Sequence, residues 1–279
     1  MTVDASALTW AETVLGRPVA GVRSLRAQGS PWLLDLDGGD QPTAVLHTGR
    51  PPADLRTQAA ALLAAAERGV PAPRLLGQDP SGLLLTTTLP GGSHLSAPPT
   101  VPRLRAMGAA LRLLSSVRMD PTPELPLRAR AIEGEEFVPS PLQRAAEAAL
   151  AALPPPSGPT VLVHGDLWTG NTMWIGDELT GFIDWDCAGV GHIGLDLGSL
   201  RCDAAIQVGR AAERHVLHGW GEPVADLARW DVLAALSTPA DLALWIPIIH
   251  DQGRTDLDAA TANARRDEFL ERAMANLAP

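Results

Sequence analysis

Two apolar runs, Val161-Leu162-Val163 and Thr172-Met173-Trp174-Ile175, enclose the octapeptide HGDLWTGN at residues 164–171. Short apolar runs bounded by glycine and polar residues are strand signals, so the chain must build strand, loop and strand in immediate succession here. A histidine, an aspartate and an asparagine in such a loop serve neither packing nor solubility. The segment behind them reads as a hairpin whose second arm is Thr180-Gly181-Phe182-Ile183-Asp184-Trp185. With Asp177-Glu178 as a two-residue turn, Asn171 faces Asp184, at the ~4.5–5.5 Å Cα spacing of opposed antiparallel residues. Asp166 enters the same space from the other side of the loop.

Amide and carboxylate oxygens without soft partners suit a hard cation such as Mg²⁺, which keeps several waters and draws its other ligands from substrate phosphates. A third acid held a little apart is what phosphoryl transfer to a hydroxyl requires, to orient the nucleophile and take its proton.

Elsewhere the pattern is that of a sheet followed by helices. The stretch MTVDASALTWAETVLG reads as an amphipathic helix capped near Asp4 or Ser6 and stopped at Gly16. Residues 21–25, 31–36 and 43–47 form a meander, the last two joined by Asp37-Gly38-Gly39-Asp40. Residues 53–68 form a helix with Pro51-Pro52 before it and Gly69 and Pro71 after it, and Leu55, Ala59, Leu62 and Ala66 as its apolar stripe. Ser81-Gly82 opens a further strand over 83–87, and Leu89-Pro90-Gly91-Gly92 then interrupts regular structure. Beyond it the reading is helix over 101–117, a proline-rich connection over 120–141, helix over 142–152, one strand pair, and helices from Leu195 onward. The chain thus divides into 1–88, a hinge at 89–92, and 93–279.

The pattern His164-x-Asp166-x4-Asn171, followed after the hairpin by Ile183-Asp184-Trp185-Asp186, resembles the aminoglycoside phosphotransferase and choline kinase-like branch of the protein-kinase-like fold. ERGVPAPRLLG (67–77) is similar to that family's link out of the first helix, LLLTTTLPGG (83–92) to its hinge, and GVGHIGLDLGSL (189–200) to its segment after the metal site. The resemblance implies an α+β, two-lobed kinase-like fold. Its N-terminal lobe would be a small antiparallel sheet with one main helix, and its C-terminal lobe larger and mainly helical. It also implies Asp166 as catalytic base or orienting acid, Asn171 and Asp184 as Mg²⁺ ligands, His164 as a packing residue that shapes the loop, and Asp196 as a brace beneath it. The expected reaction carries the γ-phosphoryl group of ATP or GTP to a hydroxyl of a small molecule such as an aminoglycoside, an amino sugar or a related natural product.

One departure stands out. Kinase-like enzymes hold nucleotide phosphates with a lysine on the third strand, paired with a glutamate on the following helix. This chain contains no lysine; all 22 residues of its Lys+Arg count are arginine. His47 and Gln58 occupy the two positions, and a His47–Gln58 hydrogen bond would satisfy the inward-facing amide. His47, protonated beside a phosphate, is one replacement for the lysine, and Arg23, Arg26 or Arg50 is another; the choice stays open. Ser30, in the sparse turn Ala27-Gln28-Gly29-Ser30-Pro31, is the candidate phosphate contact of the first hairpin. Loss of the lysine and glutamate also admits a catalytically weak, kinase-like binding protein. A metal-dependent hydrolase built on the same acids would leave the hinge and first-lobe helix without purpose.

A net charge of −10 opposes a nucleic-acid partner and mildly favours a neutral or cationic small ligand. The apolar run at 242–249 is broken by Pro247 and falls well short of the roughly 20 residues of a membrane span. An acidic N-terminus unlike a secretory signal, and two cysteines without metal or disulfide spacing, lead to an expected cytoplasmic location. Trp220, Trp230 and Trp245 read as core, while Asp241, His250 and Asp251 in the same region carry no assignment.

Overall fold

The computed structural model describes residues 2–26, 29–39, 42–95, 97–130 and 138–277. Ala27 and Gln28 of the expected phosphate-contacting turn, Asp40 of the next turn, and residues 131–137 of the proline-rich connection lie outside the described residues.

Helix α1 (Ala5–Leu15) starts where the Asp4 carboxylate accepts the Ser6 N–H and ends at Gly16. It is followed by β1 (Val19–Arg26), β2 (Gly29–Leu36), β3 (Thr43–His47), α2 (Pro52–Glu67), β4 (Leu75–Asp79) and β5 (Leu83–Thr87). These strands make one antiparallel sheet in the order β1-β2-β3-β5-β4. Successive residues of a strand face opposite sides, and β5 uses both: Leu85 joins Ala7 and Ala11 of α1, while Leu84 joins Leu55 and Ala59 of α2. His47 pairs with Leu84 in the ladder and therefore lies on the α2 side. The buried stripe of α2 continues through Ala65 instead of Ala66, which is exposed. β4 had no separate sequence signal.

The remainder is mainly helical: α3 (Val101–Ser115), α4 (Pro141–Ala151), β6 (Val161–Val163), β7 (Thr172–Ile175), β8 (Glu178–Phe182), β9 (Gly189–Gly191), α5 (Gly194–Val208), α6 (Glu213–Trp220), α7 (Leu227–Leu236), α8 (Ile246–Asp251) and α9 (Ala259–Ala275). Two strand pairs are present among the described residues, not the single pair expected, because β9 returns to pair with β6. Its sequence, Gly-Val-Gly, lacks the alternation that marks a strand, and tertiary pairing supplies what propensity does not. α5 is buried along almost its whole length and packs against α6, α7 and α9. Among the described residues no helix is long and apolar enough to cross a membrane. The fold is α+β, an antiparallel-sheet lobe followed by a helical one.

The segment between β5 and α3 is fastened to the β7–β8 hairpin. Gly92 and Trp174 exchange two backbone hydrogen bonds of 3.0 Å, and the Thr180 hydroxyl donates to the Pro90 carbonyl at 2.7 Å. Gly91 has φ 90, and a Cβ there would overlap the Trp174 carbonyl, so only glycine allows this approach.

Candidate active site

The loop at 164–171 rests on α5. Asp196, fully buried, accepts the His164 N–H at 2.7 Å and the Gly165 N–H at 3.0 Å. Burial pushes its carboxyl up to about 6, and the two N–H donors resist that rise. Two helical turns further on, Asp203 accepts both the Thr169 N–H, at 2.9 Å, and the Thr169 hydroxyl. Residues at i and i+7 share a helix face, so α5 grips the loop at both ends. Asp196 was expected as a brace; Asp203 was missed, although its i+7 spacing in DLGSLRCD was visible.

His164 lies within the same support. Burial pulls its imidazole down to about 4, so it is neutral at pH 7. Its Nε2–H donates to the Ile183 carbonyl at 2.9 Å, and its ring sits 4.6 Å from Trp185 and 6.4 Å from Phe182. It packs the loop against the hairpin.

The hairpin register differs from the expected one. Gly176-Asp177 is the turn, with Ile175 facing Glu178, and an irregularity between Met173 and Trp174 brings Thr172 opposite Phe182. Gly176, at φ 58, takes the left-handed backbone that a primed turn needs at its first central position. The Ile183 N–H therefore reaches the Asn171 carbonyl, at 2.9 Å, and Asp184 lies one residue past the position facing Asn171. Asp184 itself adopts φ 67 and ψ 61, a left-handed conformation that aspartate tolerates better than most side chains.

Asn171 nevertheless joins the loop's acid. Its Nδ2 donates to the Asp166 carbonyl at 2.8 Å and to Asp166 Oδ2 at 3.0 Å, while its Oδ1 accepts no hydrogen bond among the described residues. Asp184 meets two cations: Arg26 Nη2 lies 2.6 Å from its Oδ2 and Arg50 Nη2 lies 3.3 Å from its Oδ1, with Arg50 also paired to Asp186. Burial pushes the Asp184 carboxyl up, and the two guanidiniums more than reverse this, leaving it below the usual carboxylate range.

A model of the phosphotransferase enzyme family, APH, matches residues 27–236. The chain belongs to this family. No curated protein matches it by sequence. Among solved structures it is similar to an apoenzyme of macrolide 2′-phosphotransferase from Brachybacterium faecium, with a TM-score of 0.63 and 19% identity over 99% of this chain and 100% of that one. It is also similar to a spectinomycin phosphotransferase in complex with ADP and spectinomycin, with a TM-score of 0.56 and 15% identity over 99% of each chain. A choline/ethanolamine kinase family protein from Mesorhizobium loti gives 0.59 and 18%, over 96% of this chain and 97% of that one. At identities this low the likeness shows the shared fold alone.

In this phosphotransferase Ser30, His47, Gln58, Asp166, Asn171 and Asp184 all line a single cleft of about 2300 Å³. Two details at the strand–helix pair correct the expectation. The His47–Gln58 hydrogen bond is absent: Gln58 is buried and its Oε1 has no partner among the described residues. His47 is also buried, and desolvation pulls its imidazole down to about 4 against the attraction of Asp184. The Ser30 hydroxyl accepts the Thr48 N–H at 2.9 Å, which ties the β2 entrance to the end of β3.

The helical side of the cleft is lined by apolar residues, Ile206, Leu242, Trp245, Ile248 and Ile249, interspersed with polar ones, Asp203, Gln207, Ser237, Thr238, Asp251 and Gln252. Trp220 and Trp230 are core residues as expected, whereas Trp245 is half-buried and faces the cleft. Asp241 accepts the Ala243 N–H and caps the short turn that follows, His250 donates to the Leu257 carbonyl, and exposed Asp251 reaches the cleft. No group of three or more His, Cys, Asp or Glu side chains suited to a metal occurs among the described residues. Asn171 and Asp184 offer two oxygen donors, a sparse set that fits Mg²⁺ when waters and phosphates supply the rest.

Proposed function

We propose that the protein transfers the γ-phosphoryl group of a nucleoside triphosphate, ATP or GTP, to a hydroxyl of a small molecule, with Mg²⁺ held by Asn171 and Asp184. Asp166 then orients the acceptor hydroxyl and takes its proton as the oxygen attacks phosphorus and the diphosphate leaves. Bound Mg²⁺ supplies positive charge to the transferring phosphates. Asn171 holds the Asp166 carboxylate in place through its Nδ2 and keeps Oδ1 available as a ligand. On this reading residues 1–88 carry the nucleotide, 89–92 act as the hinge, and 93–279 present the acceptor. His47, Gln58 and Ser30 line the nucleotide end.

The observation that carries the reading is the Asn171 side chain, bonded to both the carbonyl and the carboxylate of Asp166 in a cleft that Asp184 shares. Acceptors to try are aminoglycosides, amino sugars and related natural products, the last including molecules with an apolar face to set against Trp245 and Ile249. Replacing Asp166 with Asn should lower kcat by roughly 10²–10⁴-fold and leave the nucleotide Kd within about twofold. An unchanged kcat would sink the proposal.

A second reading, a kinase-like protein that binds ligands without turning them over, draws on the buried neutral His47 and the orphaned Gln58 Oε1. Acceptor-dependent release of ADP or GDP by the wild-type protein, across that panel, decides between the two.

A further inference from the structure

The lysine that usually binds nucleotide phosphates has no counterpart in this chain, and His47, the residue at its place, is buried at the end of β3. Positive charge reaches the same spot from two other elements. Arg26 stands at the end of β1 and Arg50 in the turn between β3 and α2, yet their guanidiniums converge on the two oxygens of Asp184, and Arg50 also holds Asp186. Arg23, the other arginine that lines this end of the cleft, makes no ion pair with either acid.

We propose that Arg26 and Arg50 form a two-arginine phosphate clamp that grips the β- and γ-phosphates of the nucleotide in place of a lysine. The proposal rests on the nucleotide reading given above. Two carboxylates and two guanidiniums balance in charge. A divalent cation added at Asp184 leaves the cluster with an excess of positive charge, which a polyphosphate neutralises. A guanidinium presents its donors as a planar fork suited to two phosphate oxygens at once. Both side chains also retain solvent access, 51% for Arg26 and 26% for Arg50, so they are able to swing from carboxylate to phosphate. Asp186 keeps Arg50 anchored near its target while the Asp184 oxygens turn to the metal.

The test is calorimetric titration of Mg·ATP, Mg·ADP and AMP into the wild-type protein and the variants Arg26→Gln, Arg50→Gln, Arg50→Lys and Arg23→Gln, at pH 6 and pH 8. Far-UV spectra and melting curves confirm that each variant is folded. Each of Arg26→Gln and Arg50→Gln should weaken Mg·ATP by roughly ten- to a hundredfold, the scale of a lost hydrogen-bonded charge. AMP, which lacks those phosphates, should change by less than about twofold. Arg50→Lys should recover part of the loss, and Arg23→Gln, which removes a cation of the same cleft that pairs with neither acid, should weaken Mg·ATP less than either Gln variant of the clamp. Guanidiniums do not titrate in this range, so wild-type affinity should be nearly equal at the two pH values. Undiminished Mg·ATP binding by both Gln variants would overturn the clamp. So would wild-type binding that strengthens severalfold at pH 6, because that dependence belongs to a histidine. If the wild-type protein binds no nucleotide at all, the underlying nucleotide reading fails first, and that outcome is recognised without the variants.

Discussion

His164 has to shed its hydration to sit beneath the loop, and that cost falls on the charged form alone. In the unfolded chain its imidazole titrates near 6.5, and in the folded protein near 4. Below pH 6.5 the unfolded state therefore takes up a proton that the folded state refuses, and stability is lost as pH falls towards 4. At pH 5 this amounts to about 2 kcal/mol. Asp196 works in the opposite direction: its folded value of about 6 lies above the unfolded one, so it favours folding at low pH and loses that advantage as pH rises from about 4 to 6. The variant His164→Gln isolates the first effect. Between pH 7 and pH 5 the wild-type protein should lose about 2 kcal/mol relative to that variant in urea unfolding; a constant difference would refute the assignment. Asp203→Ala strips two hydrogen bonds from Thr169 and should cost roughly 2–3 kcal/mol, with a fall in kcat if the loop carries the reaction. At this scale Asp166, Asn171 and Asp184 were legible, because polar side chains confined between strands need a reason. Asp203 was not, because an acid within a helix ordinarily belongs to its solvent face.

The crossing of α3 and α6 depends on glycine at both partners. A Cβ on Gly108 would overlap the Val216 carbonyl, and one on Gly219 would overlap the Arg105 carbonyl. Gly108→Ala should consequently destabilise the protein by about 1–3 kcal/mol, as overpacking does, and a denaturation midpoint equal to wild type would count against so close a contact. Helices with stripes and caps, α1, α2, α3 and α4, were readable because periodicity and end residues are local signals. The turn of the β7–β8 hairpin was placed one residue late. Glycine's preference for the left-handed backbone moved it to Gly176-Asp177, and a bulge absorbed only part of the difference, so that Asn171 faces Ile183 and not Asp184. β9 was invisible, since its pairing with β6 is a property of the partner strand.

Considered as a whole, the cleft joins the β-sheet, the loop on α5 and α8. Filling it with nucleotide should stabilise the entire molecule. Mg·ATP or Mg·GTP at 100 times its Kd adds about 2.7 kcal/mol, which raises Tm by several degrees, and EDTA should abolish the shift if Asn171 and Asp184 hold the metal. A melting temperature unmoved by either nucleotide with Mg²⁺ would favour the binding-protein reading. The amino-acid sequence by itself determined the order of elements apart from β4 and β9, the loop with its acids, and the absence of lysine, for these follow from local pattern and residue type. Only the tertiary structure decided which cations meet Asp184, that His47 is buried and Gln58 Oε1 unpartnered among the described residues, and that Asp203 supports the loop. Those outcomes depend on distances between residues far apart in the chain and on how much water each group loses, and neither quantity is carried by any short stretch of sequence.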